Sequence, residues 1–121
     1  MKIDMDNDLK AFVIGSLSQE EKIREYGEKL ACKIGNENVR YVKSESDKDF
    51  DHLIIQAYKN IDWADVVYVI KKPDGTIGTG TTYEVQYALH TGTHIEYVKI
   101  WFFWEIWMNS RIITCIKNTF G

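Results

Sequence analysis

Short apolar runs alternate along the chain with segments whose apolar residues recur at helical spacing. Lys10-Ala11-Phe12-Val13-Ile14-Gly15 is the first such run, and its exit through Gly15-Ser16 reads as a buried strand with a tight turn. Ser18-Gln19-Glu20-Glu21 has the spacing of a capping box and predicts a helix start. Ile23, Tyr26, Leu30, Ala31 and Ile34 then share one face until Gly35-Asn36 closes the helix. Gly27 lies on that same face and costs helix stability, which predicts close packing on a sheet. Residues 39–42 read as a second strand and 43–49 as a polar loop. Phe50, Leu53, Ile54, Ala57, Tyr58 and Ile61 form a second helical stripe. Asp65-Val66-Val67-Tyr68-Val69-Ile70 is β-branched and almost continuously apolar, the pattern of a strand buried on both faces. A loop over 71–80 carries the only proline, Pro73. A third helix over 81–90, closed by Gly92, and a strand over 95–100 complete the series.

Strands alternating with helices predict a parallel α/β sheet with right-handed crossovers. Ligands in such sheets bind beyond the carboxyl ends of the strands. Two turns of unusual composition, Gly15-Ser16-Leu17-Ser18 and the segment 71–84, fall at such ends.

The 121 residues make a single domain over 1–121, large enough to bury a core without disulfides. Residues 1–8 are expected to be a flexible N-terminus. A formal charge of −3 with no basic run longer than Lys71-Lys72 argues against binding a nucleic-acid polymer. The acidic start is no signal peptide, which points to the cytoplasm. Cys32 and Cys115 have no metal-ligand spacing, and Cys32 falls near an apolar helical stripe. In the tail, Trp104, Trp107, Met108, Ile112, Cys115 and Ile116 fit a helical stripe, while Lys99, Glu105, Asn109 and Arg111 interrupt it too often for a membrane span. Trp101, Phe102, Phe103, Trp104 and Trp107 are many aromatics for so small a chain to bury. The tail 99–121 is therefore expected to supply an interface helix of a homodimer or higher homo-oligomer.

The candidate chemistry centres on Glu84. It follows Gly75-Thr76-Ile77-Gly78-Thr79-Gly80-Thr81-Thr82-Tyr83, a loop that leaves a strand and opens a helix. Helix N-termini present unpaired N–H groups and a positive dipole end, so a carboxylate there is expected to stay ionised. Thr81-x-x-Glu84 is also the signature of a plain capping box. The glycines favour the ligand reading, since glycine lets backbone approach a ligand closely. Gly78-Thr79-Gly80 falls short of a dinucleotide fingerprint because Tyr83 stands where a third glycine belongs. Asp65 is expected to hold the helix-to-strand turn, and Asp74 to serve the turn before Gly75. His90 and His94 are separated by the helix-ending Gly92, against a metal pair. A receiver domain would need an acidic pair after the first strand and an aspartate ending the third; Gly15-Ser16 and Ile70-Lys71 stand there instead.

Phe12-Val13-Ile14-Gly15-Ser16, Ile61-Asp62-Trp63-Ala64-Asp65-Val66-Val67-Tyr68-Val69, and Ile77-Gly78 with Thr81-Thr82-Tyr83-Glu84-Val85-Gln86-Tyr87-Ala88-Leu89 together resemble the nucleoside 2-deoxyribosyltransferase superfamily, over about residues 10–98. That superfamily includes deoxynucleoside 5′-monophosphate N-glycosidases and short phage and bacterial relatives. The resemblance implies a flavodoxin-like three-layer sandwich with a parallel sheet of four or five strands. It implies Glu84 as the nucleophile at the sugar's anomeric carbon, with no cofactor and no metal. A nucleoside or nucleotide would be held by Gly15, Ser16, Asp62, Gly78, Thr79, Gly80, Thr81 and Thr82. Two auxiliary aspartates of the transferases are replaced here by Ala57 and Gly78, and the serine of the monophosphate glycosidases is also Gly78. The acid that protonates the leaving base is thus unassigned. The alternative is a non-catalytic nucleotide-binding protein of the same fold.

Overall fold

The computed structural model describes residues 9–43 and 49–98. The acidic N-terminus, most of the polar loop and the aromatic tail with its expected interface lie outside the described residues. The elements run β1 (Ala11–Gly15), α1 (Glu20–Ile34), β2 (Val39–Tyr41), α2 (Phe50–Trp63), β3 (Val66–Ile70), α3 (Thr79–Thr91) and β4 (His94–Val98).

The strands form a four-stranded sheet in the order β2-β1-β3-β4. Every pairing is parallel, with Ala11 opposite Val39 and Val66, and Val66 opposite His94. This is the flavodoxin-like α/β fold. β1 and β3 are central, so both of their faces need apolar cover, which is why their sequences do not alternate. On one face Phe12, Ile14, Val67 and Val69 pack against Ala57 and Ile61 of α2 and Val85 and Ala88 of α3. On the other, Val13 and Ile70 pack against Ile23, with Tyr26 and Leu30 of α1. Each large side chain buried this way contributes roughly 1.5–3 kcal/mol.

Gly27 packs as its position on the apolar stripe suggests: a Cβ there would lie 2.6 Å from the Tyr41 ring on β2. Asp65 ties the α2–β3 turn to β1, its carboxylate accepting from the Lys10 N–H at 2.9 Å while its own N–H donates to the Lys10 carbonyl at 2.7 Å. Asp74 accepts from both the N–H and the hydroxyl of Thr76, closing the turn in which Gly75 takes φ +87°. Gly92 is left-handed at φ 77° and ends α3.

Both capping boxes read from the sequence fail to form. At the first, Ser16 rather than Ser18 is the cap, accepting from the Ser18 N–H and opening a short 3-10 turn over Leu17–Gln19; α1 follows at Glu20 without a side-chain cap. At the second, α3 starts at Thr79, two residues before the expected Thr81, with Gly78 as its N-cap. Thr81 and Glu84 therefore both lie within the helix and are buried. No helix among the described residues is long and apolar enough to cross a membrane.

Candidate active site

A parallel sheet brings the exits of β1 and β3 side by side, and the two exits here carry the Gly15-Ser16 turn and the loop into α3. The N-cap Gly78 faces Ser16, and a Cβ at Gly78 would sit 3.6 Å from the Ser16 side chain. Beneath them opens a cavity of about 670 Å³, within the range of small-molecule sites. Its upper wall is Gly15, Ser16, Gly78, Thr79, Gly80 and Thr81, with Glu84 at the side. It then extends as a groove between β2 and α2, past Leu53, Ile54 and Ala57 toward Gln56, Asn60 and Arg40.

Glu84 is the chemical centre of this space. It is only 9% exposed, and no described residue forms a hydrogen bond or ion pair with its carboxylate. Burial alone pushes its pKa up to about 7. The expectation that the helix dipole keeps it ionised is thus corrected. Because α3 starts at Thr79, Glu84 lies beyond the first turn, where the dipole has faded. Near neutrality the group is poised between a carboxylate and a carboxylic acid.

The start of α3 supplies donors. The N–H of Thr82 is already bonded to the Gly78 carbonyl at 2.9 Å. Those of Thr79, Gly80 and Thr81 precede any intrahelical partner, and these three residues line the cavity. No side chain caps them, since the N-cap is glycine.

The predicted site residues thus divide. Gly15, Ser16, Gly78, Thr79, Gly80, Thr81 and Glu84 converge on one cavity. Thr82 does not join them, because its hydroxyl also turns back to the Gly78 carbonyl, at 2.8 Å. Asp62 does not either. It sits at the far end of α2 and accepts the hydroxyl of Tyr87 at 2.8 Å. Gly15 contributes backbone, but its missing side chain answers a packing need: a Cβ would lie 3.0 Å from both Ile23 and the Ile70 carbonyl.

Sequence reasoning missed the groove's other end. Arg40 donates to the Asn60 side-chain carbonyl at 2.9 Å, and its guanidinium lies 4.0 Å from the centre of the Trp63 ring. Gln56 and Asn60, four residues apart on one helix face beside Ala57, were the available signal. Phe50 and Leu17, both about half exposed, border the mouth.

Fold and cavity together define a flavodoxin-like α/β protein with a buried carboxylate beside a helix N-terminus. No protein-family model matches the chain, and no curated protein or solved structure does.

Proposed function

We propose that this chain is an N-glycosidase or 2-deoxyribosyltransferase-like enzyme acting on a nucleoside or nucleotide, with Glu84 as the nucleophile. The ionised carboxylate attacks the anomeric carbon. The C1′–N bond breaks, its electron pair passes to the base nitrogen, and the base leaves after gaining a proton. Water or a second base then displaces Glu84 from the glycosyl ester. The observation that carries this reading is a nearly buried, unpartnered Glu84 carboxylate bordering a cavity of nucleoside size. Among the described residues no fully buried side-chain oxygen lacks a partner, so the unpartnered carboxylate opens to the cavity and not to the core. The open N–H groups of Thr79, Gly80 and Thr81, with the Ser16 hydroxyl, suit the sugar or a 5′-phosphate.

A second reading, a nucleotide-binding protein without catalysis, is favoured by one feature. Among the described residues Glu84 is the only carboxylate lining the cavity, so no second carboxylic acid stands ready to protonate the base.

One experiment separates the two. The protein is incubated with a panel of nucleosides and 5′-monophosphates, and free base is followed by chromatography beside Glu84→Ala. Base release that disappears in a folded Glu84→Ala protein supports the enzyme. Ligand binding with no base release supports the binding protein. Release undiminished in Glu84→Ala would sink the nucleophile assignment.

A further inference from the structure

We infer that the groove between β2 and α2 is a base-recognition subsite in which Arg40 selects a 6-oxopurine over a 6-aminopurine. The inference rests on the reading of the cavity as a nucleoside site.

The geometry comes from the pairing of α2 with α3. Phe50 meets Tyr83 edge-on at 6.1 Å, and Tyr58 stacks on Tyr87 at 4.1 Å, so the two helices run side by side in the same direction. Glu84 therefore stands between the levels of Phe50 and Tyr58. Asn60 lies beyond Tyr58, further along α2 than the level of Glu84. A sugar held at Glu84 thus sends its base down the groove, between apolar Leu53, Ile54, Ala57 and Val42, toward Arg40, Gln56 and Asn60.

Arg40 is fixed for this task. Asn60 takes one of its N–H groups at 2.9 Å, and Trp63 lies against the guanidinium plane at 4.0 Å. Its remaining donors are bonded to no described residue. Arginine has donors and no acceptor. The 6-oxopurine edge offers two adjacent acceptors, O6 and N7, that match the guanidinium fork, whereas adenine pairs the N7 acceptor with an N6 donor. A 6-amino group would point a donor at a donor.

The test compares 2′-deoxyinosine with 2′-deoxyadenosine by calorimetry on the full chain. The wild type should bind deoxyinosine about tenfold more tightly or better, the discrimination of one good bidentate contact. Arg40→Met, which keeps the aliphatic stem on Trp63, should lose that preference by weakening deoxyinosine alone. Arg40→Lys should retain part of it. Equal binding of the two nucleosides by the wild type overturns the inference. So does a preference that survives in Arg40→Met or in Arg40→Ala with wild-type circular dichroism. Base release from both nucleosides at equal rates would leave the glycosidase reading standing while this inference fails. Binding of neither nucleoside, nor of either matching 5′-monophosphate, at millimolar concentration removes both.

Discussion

Tyr87 on α3 donates its hydroxyl to both carboxylate oxygens of Asp62 on α2, at 2.8 and 3.0 Å. The same ring stacks on Tyr58 at 4.1 Å with an interplanar angle of 10°. This clasp pins α2 against α3 close to the C-terminal end of α2. It also accounts for an aspartate that the resemblance had placed with the substrate.

Asp62 and Tyr87 should accordingly be silent in catalysis. The hydrogen bond to Asp62 raises the pKa of Tyr87, because the carboxylate favours the neutral phenol. Asp62→Asn should lower the Tyr87 pKa toward that of a free tyrosine, read by ultraviolet titration with Tyr87→Phe as the blank. Base release by Asp62→Asn should match wild type. A large loss in kcat would return Asp62 to the active site.

Gly27→Ala should destabilise the fold although alanine is the better helix former. The added Cβ would lie 2.6 Å from Cδ2 of Tyr41, so a ring anchored on β2 must move. Overpacking of this kind costs about 1–3 kcal/mol, against about 1 kcal/mol gained in helix propensity. Urea unfolding should show a net loss. Pairing Gly27→Ala with Tyr41→Ala should cost less than the sum of the two single changes.

The fold was legible because its signals are local. β1 and β3 are apolar throughout, α1 and α2 show clear stripes, and Gly35 and Gly92 mark the ends of α1 and α3. Half the site was legible for the same reason: Gly15-Ser16 and Gly78 to Thr81 lie at strand exits, where a parallel sheet concentrates its ligands. The groove was not, since Arg40, Gln56 and Asn60 come together only when β2 packs beside α2, and none forms a motif alone. Both capping boxes misled because Ser/Thr-x-x-Glu describes a spacing. It does not register that Gly78 could start α3 two residues earlier and carry Glu84 into the interior.

Burial of Glu84 predicts a pH-dependent stability. Its folded pKa of about 7 lies above its ordinary value of 4.5, so the native state holds this proton more tightly than the unfolded chain does. The sign follows: the group costs nothing below about pH 4.5, and its penalty grows as pH rises to about 7 and is full above that. Glu84→Gln removes the charge and keeps the shape. It should match wild type near pH 4 and exceed it by an amount on the order of 3 kcal/mol at pH 9. Denaturant titrations at the two pH values measure this directly. A Gln variant less stable than wild type at pH 9 would mean that the carboxylate has a favourable partner.

The same titration should govern turnover. Only the ionised Glu84 can attack the anomeric carbon, and only the free enzyme's ionisation enters kcat/KM. With the pKa at about 7, log kcat/KM for base release should rise with unit slope below pH 6 and level off above pH 8. A nucleophile with an ordinary carboxylate pKa would instead give a flat profile across that window. A 5′-phosphate bound near Thr79 to Thr81 would add negative charge near Glu84 and push its pKa higher still. The ascending limb of kcat for a monophosphate should therefore lie at higher pH than that for the matching nucleoside. A profile that falls between pH 6 and pH 8 would assign Glu84 the opposite role, that of the acid delivering a proton to the leaving base.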